Sequence, residues 1–175
     1  MATAVLLPGH HHPGDAPPVR IVTPPTLAGG TYRLTADTAR LRREGLSVDA
    51  AVPDGATSVL ARYQRANAPS GTLSLSALYG DPGDPAAVLD GMFQDFRSPT
   101  RRETFHPAGA SGPAIECEVV RMDDSTFAPA CAWAEKTDAA LLIEADPSRR
   151  NATSVDAAAF AKLTARIHDD VRKPG

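Results

Sequence analysis

Residues 114–135 read AIECEVVRMDDSTFAPACAWAE. Two strand-like runs, Ala114 to Met122 and Phe127 to Glu135, flank Asp123-Asp124-Ser125, a cluster of turn formers. With Asp124 at the tip of the turn, Cys117 faces Cys131, Ile115 faces Trp133 and Val119 faces Pro129. Directly opposed residues of an antiparallel pair have Cα atoms about 4.5–5.5 Å apart, within disulfide reach. The register therefore favours a Cys117–Cys131 disulfide over two buried free thiols. Closing a loop of about 15 residues contributes roughly 3 kcal/mol in the chain-entropy treatment, and less where a hairpin already holds the ends together. A disulfide implies an oxidising compartment. Two cysteines without a CxxC argue against a zinc site or thioredoxin-like chemistry. Trp133 shares the face of Cys131 and is expected to pack against the cystine as core.

Downstream of the hairpin, Asp138 to Glu144 is a third strand candidate. The last helix follows, with Ser154 as its expected cap, Asp156 in its first turn and Arg172-Lys173 at its end, a charge order that suits the helix dipole. Phe160, Leu163, Ile167 and Val171 form its expected core stripe. Upstream, residues 99–113 read as a polar connection. A helix precedes it, with Asp84 at the N-cap and Pro85 at N1, where a missing N–H costs nothing. Leu89, Met92, Phe93 and Phe96 follow at i, i+3, i+4, i+7, an apolar stripe expected to pack on a core, and Ser98-Pro99 is expected to end the helix. Ser58 to Ala66 alternates as a strand. Across the turn Asn67-Ala68-Pro69-Ser70-Gly71, Leu73, Leu75, Ala77 and Tyr79 share one face of its hairpin partner, with Ser74 and Ser76 on the other. Val48 to Gly55 reads as a loop. Ala36 to Glu44 reads as a surface helix capped by Thr35 and ended by Gly45, after a short strand from Thr31 to Leu34.

The resulting order is β-α-β-β-α-β-β-β-α. Consecutive strands on short turns pair antiparallel, which predicts an α+β fold: an antiparallel β-sheet packed by two to three helices. Residues 1–24 stand apart. His10-His11-His12-Pro13-Gly14, Pro17-Pro18 and Pro24-Pro25 supply no periodic apolar face, so residues 1–24 are expected to be disordered and residues 25–175 to form a single domain. Ala4-Val5-Leu6-Leu7 is too short for a signal-peptide core and has no basic residue before it.

The chain has 175 residues, long enough for a real core. Its formal net charge of −3 argues against a nucleic-acid partner, which calls for a basic stripe. No run of 18 apolar residues is present to span a membrane. Only Lys136, Lys162 and Lys173 are lysines among 18 basic residues, a bias that fits a GC-rich bacterial genome.

No GxSxG, HExxH, P-loop or GxGxxG occurs. His10, His11 and His12 lie in the tail, where imidazoles bind transition metals without fixed geometry. His106 sits in a loop and His168 beside the apolar stripe of the last helix, as a surface or boundary residue. Glu116 and Glu118 are expected on a solvated sheet face, and Asp123 and Asp124 in a solvated turn. The expectation is thus of no catalytic residues, no cofactor and no metal site, with Cys117 and Cys131 the only special pair.

Several segments together resemble a large group of uncharacterised streptomycete and related actinobacterial membrane-anchored proteins. They are Thr23-Pro24-Pro25-Thr26-Leu27-Ala28-Gly29-Gly30-Thr31-Tyr32, Leu78-Tyr79-Gly80-Asp81-Pro82, the helix after Asp84-Pro85, Cys117, Cys131-Ala132-Trp133-Ala134 and the end Asp169-Asp170-Val171-Arg172. Members of that group carry a Pro/Gly-rich tail, one transmembrane helix and an outer α+β domain. Two departures stand out: Glu135 occupies a position usually held by Asp, and the transmembrane helix is not in this chain. The resemblance implies location rather than chemistry: an extracytoplasmic domain, membrane-associated through a segment outside this chain, or secreted. In that setting the Asn151-Ala152-Thr153 sequon carries no meaning. Two functions follow as expectations. One is a non-catalytic domain that binds or senses a cell-envelope partner. The other is a small-ligand-binding, lipoprotein-type (PsbP-like) α+β domain. A pocket between sheet and helix would favour the second, and a filled core with a flat apolar patch the first.

Overall fold

The computed structural model describes residues 18–46, 52–68, 70–107, 112–123 and 125–175. In chain order the elements are β1 (Val19–Ile21), β2 (Thr26–Leu27), β3 (Tyr32–Ala36), α1 (Thr38–Arg43), β4 (Ala56–Arg65), β5 (Thr72–Gly80), α2 (Pro85–Phe93), β6 (Glu103–Phe105), β7 (Ile115–Arg121), β8 (Phe127–Ala134), β9 (Asp138–Ala145), a 3-10 turn (Ala152–Ser154), α3 (Ala157–Val171) and β10 (Arg172–Pro174). Eight strands form one antiparallel sheet in the order β2-β3-β4-β5-β9-β8-β7-β6, and β1 pairs with β10 separately.

The α+β class and the antiparallel sheet are as expected, with three helices among the described residues. The element order differs: β1, β2, β6 and β10, of two or three residues each, interrupt it. Most of the expected tail, residues 1–17, lies outside the described residues. Its expected boundary at 24 does not hold, because Val19–Ile21 is strand and Ile21 is buried in the core. Part of the expected loop from Val48 to Gly55, residues 48–51, also lies outside the described residues.

Alternation along the strands builds the layers. One sheet face carries Tyr63 and Ala61 of β4, Leu73, Leu75 and Ala77 of β5, Cys117 of β7, Trp133 of β8, and Ala140 and Leu142 of β9. Phe160, Ala161, Ile167 and Val171 of α3 cover it. The opposite face is covered in two places. Phe93 of α2, with Leu89 and Met92 partly buried, packs on Val120, Ala128, Ala130, Ala132 and Leu141. Leu41 of α1 packs on Ala36 and Leu60. The structure is therefore a sheet between α3 on one side and α1 with α2 on the other.

The hairpin register runs from Glu116↔Ala132 through Cys117↔Cys131 and Val119↔Pro129 to Arg121↔Phe127. Cys117 and Cys131 are disulfide-bonded with Cα atoms 4.1 Å apart, and Trp133 is buried in the same cluster.

Helix starts moved by a few residues. Asp37 caps α1, its carboxylate accepting from Arg40 N–H, while the Thr35 hydroxyl donates to the Arg62 carbonyl. Asp156, not Ser154, caps α3, because Val155 is extended and ends the 3-10 turn first. Aspartate is at least as good an N-cap as serine or threonine. Asp84 and Pro85 begin α2 as expected, but the helix ends at Phe93, before Ser98. At the other end of α3, Arg172 and Lys173 leave the helix and enter β10.

Two turns depend on unusual backbone. Ala28, Gly29 and Gly30 run consecutively at φ of 50°, 65° and 89°. The Ala28 N–H donates to Asp170 of α3 at 2.6 Å, which holds a left-handed conformation that costs a non-glycine residue energy. Gly80 has φ of 105°, and a Cβ there would lie 2.5 Å from the Gly55 carbonyl oxygen, so only glycine fits.

Candidate functional site

On the face opposite α3, α1 packs on β3 and β4, and α2 on β8 and β9. In the sheet order β5 lies between these two zones, and neither helix covers it. Its residues on this side are Ser74, Ser76 and Leu78. The serines are small and polar, and Ser74 is exposed. The result is a trough. Beside α2 it opens a cavity of about 540 Å³, walled by Val52, Pro53, Leu78, Val88 and Met92, with Gly91 leaving its side of the wall low. Its polar groups are the Ser76 hydroxyl, the Gln94 amide and the helix-capping carboxylate of Asp84. Ser76 also lines a smaller cavity of about 100 Å³ toward α1, with Leu41, Leu46 and Ile143. No sequence motif marks this place. The one signal was the pair of serines facing away from the core on a central strand.

Sequence reasoning missed the buried charges. Asp138, Ala140, Leu142 and Glu144 alternate on the α3 face of β9, so both acids point inward, at opposite ends of one strand. At one end Trp133 Nε1–H donates to Asp138 Oδ1 at 2.9 Å, and Arg172 Nη2 reaches Asp138 Oδ2 at 3.0 Å and Glu135 Oε2 at 2.9 Å. His168 meets Trp133 edge-on, ring centroids 5.1 Å apart. Its Nδ1 is 2.9 Å from Asp169 Oδ1 and its Nε2 is 3.1 Å from Arg172 Nη1. The expected boundary position of His168 is corrected here: it is 3 % exposed. A Cβ at Gly112 would sit 3.1 Å from its Cε1, so the backbone there roofs the ring. Glu135, Asp138 and His168 place ligand atoms within 4.8 Å of one another, a spacing that suits a cation. The Arg172 guanidinium, bonded to all three, is that cation.

At the other end of β9, Glu144 is 2 % exposed. It accepts hydrogen bonds from the Tyr32 hydroxyl and from Arg65, and Arg149 Nη2 binds its other oxygen at 2.6 Å. Burial, then donation to Glu144, pushes the Tyr32 phenol well above its ordinary value, and burial with Asp170 nearby does the same for Tyr63. The native state therefore keeps two protons that the unfolded chain releases near pH 10. Their contribution to stability is complete below pH 10 and falls as pH rises above it, by about 1.4 kcal/mol per pH unit for each phenol. Urea midpoints measured from pH 9 to 12 should be level at first and then drop steeply. A flat profile to pH 12 would show that neither hydroxyl is held.

Glu116 and Glu118, expected on a solvated face, converge on Arg102 instead, at 3.3 and 3.1 Å. Ser98 also donates to Glu118, and the Arg102 guanidinium lies 4.5 Å from the Phe93 ring centroid. Asp123 sits in the turn as expected, and backbone N–H donation from Ser125 and Thr126 holds its carboxyl below the usual range. Asp124 lies outside the described residues, as do His10, His11 and His12. His106 is exposed. Asn151 caps the 3-10 turn, accepting from Thr153 N–H.

Comparison with protein-family models, with curated proteins and with solved structures gave no match for this chain. Among the described residues no helix is long and apolar enough to cross a membrane. The disulfide indicates an oxidising environment.

Proposed function

We propose that this is a non-catalytic extracytoplasmic domain of an actinobacterial cell-envelope protein, and that it binds a small, largely apolar, uncharged or cationic ligand in the trough beside α2. The observation that carries this reading is the cavity of about 540 Å³ between helix and sheet, in the size range of small-molecule sites, with apolar walls and, among its described lining residues, three polar side chains. Among the described residues that line it, Asp84 is the one charged side chain, which disfavours an anion. The competing reading, a flat surface for a protein partner, has less support. Among the described residues the exposed large apolar side chains are Leu46 and Met122, one after α1 and the other after β7. A non-catalytic role is favoured by the state of His168, which stands beside carboxylates but is closed off by Trp133 and the Gly112 backbone.

The test is fluorescence titration with N-phenyl-1-naphthylamine, an uncharged apolar probe. Saturable binding with a blue shift is expected. Gly91→Trp should weaken it at least tenfold, since a Cβ at 91 meets nothing within 4 Å and Gly91 lines the trough, so the indole would occupy it. The substitution also replaces glycine in a helix interior, so folding should not suffer. No saturable binding, or equal binding by the variant, would remove the trough as the site.

A further inference from the structure

On the opposite face of the sheet, a recess of about 270 Å³ lies between α3 and the far ends of β4 and β9. Three guanidinium groups line it, Arg65, Arg149 and Arg166, and its apolar wall is Pro129, Phe160 and Leu163. From these we infer that the recess is a second binding site, for a small organic carboxylate with an apolar body.

Charge decides the class. Glu144 and Asp156 are the acids of the recess, against three arginines, so one positive charge is in excess. Both acids are committed. Glu144 is used on both oxygens by Tyr32, Arg65 and Arg149, and Asp156 caps α3 by accepting from Ala159 N–H at 2.8 Å. Two donor groups remain. Arg166 is exposed and makes no hydrogen bond or ion pair among the described residues. Arg65 Nε is buried and has no partner there either. A buried donor without an acceptor costs free energy. An arginine fork is the side chain best matched to a planar carboxylate. Phe160 and Leu163 then supply a surface for a ring or short chain beside the carboxylate. The volume admits a body of about one aromatic ring and excludes a nucleotide or a long acyl chain. This face of the sheet is separate from the trough, so the two sites stand or fall independently.

The experiment is an NMR titration of the full folded chain with benzoate, against benzamide as its uncharged counterpart and inorganic phosphate as a bare anion. Saturable shifts are expected at Arg166 and Leu163. Benzamide should bind at least tenfold more weakly, and phosphate should not compete at equal concentration. Arg166→Ala should weaken benzoate at least tenfold without moving the melting temperature, since the side chain has no partner to lose. Ala159→Trp, on the exposed rim, should block the recess, and Gly91→Trp should leave benzoate binding unchanged. Absence of saturable shifts, equal binding of benzamide, phosphate competing as an equal, or full affinity in both Arg166→Ala and Ala159→Trp would each overturn the proposal.

Discussion

Glu144→Ala should destabilise the domain by about 3 kcal/mol, at the lower end of the range for removing one partner of a buried ion pair. The carboxylate is 2 % exposed and holds three side chains drawn from β3, β4 and the segment after β9. Its loss strands the Tyr32 hydroxyl in the core. Arg65 and Arg149 fare better, since their side chains are 32 % and 19 % exposed and can turn toward water. That escape is why the upper end of the range is not expected. Glu144→Gln keeps an acceptor for the phenol and should cost less than Glu144→Ala. Urea unfolding followed by circular dichroism measures both. A loss under 1 kcal/mol for the alanine variant would mean that the cluster decorates the core rather than holding it.

Ile167→Ala should cost about 2–5 kcal/mol through lost transfer free energy and the cavity left behind. Leu163→Ala should cost clearly less, and Lys162→Ala within about 0.5 kcal/mol of nothing. The sequence stripe Phe160, Leu163, Ile167, Val171 makes no distinction between the first two targets. In the structure the buried face of α3 is Phe160, Ala161, Thr164, Ile167, His168 and Val171, which turns Leu163 to the rim of the arginine recess. Ile167 is fully buried. Denaturant midpoints with unchanged m-values would report the difference cleanly. Equal effects for Ile167→Ala and Leu163→Ala would place the helix in the rotation that the apolar stripe suggests.

What could be read from the residues tracks the length of each signal. Strands of seven to ten residues, β4, β5, β7, β8 and β9, carry enough alternation to declare themselves. The disulfide followed from counting out from one turn, because an antiparallel register leaves no freedom once its tip is fixed. Strands of two or three residues have no period to detect. Glu103-Thr104-Phe105 forms β6 only because β7 offers an edge. His168 was misplaced because helical periodicity puts it next to Ile167, at the margin of the stripe, and tertiary cover from Trp133 and Gly112 then buried it. The inward acids Asp138 and Glu144 were legible in principle, since they share parity with Ala140 and Leu142. Strand ends usually admit water, so parity alone does not establish burial there. The trough depends on where two helices leave a gap, a matter of packing that no local pattern records.

The pairing of β1 with β10 also has a mechanical consequence. Val19 stands opposite Pro174, and Gly175 N–H donates to the Pro18 carbonyl at 2.9 Å. The described chain is thus held at both ends by one ladder, with its ends side by side. A force pulling those ends apart would load the hydrogen bonds one after another from the outermost inward, as in unzipping, and would reach Ile21↔Arg172 last. Beyond that rung stands Val22, bonded to the Val171 carbonyl, and the rung itself holds Arg172, whose guanidinium neutralises Asp138 and Glu135. Tension at the ends would therefore be felt first by a weak, reversible clasp, and only afterwards by the buried charges beneath Trp133.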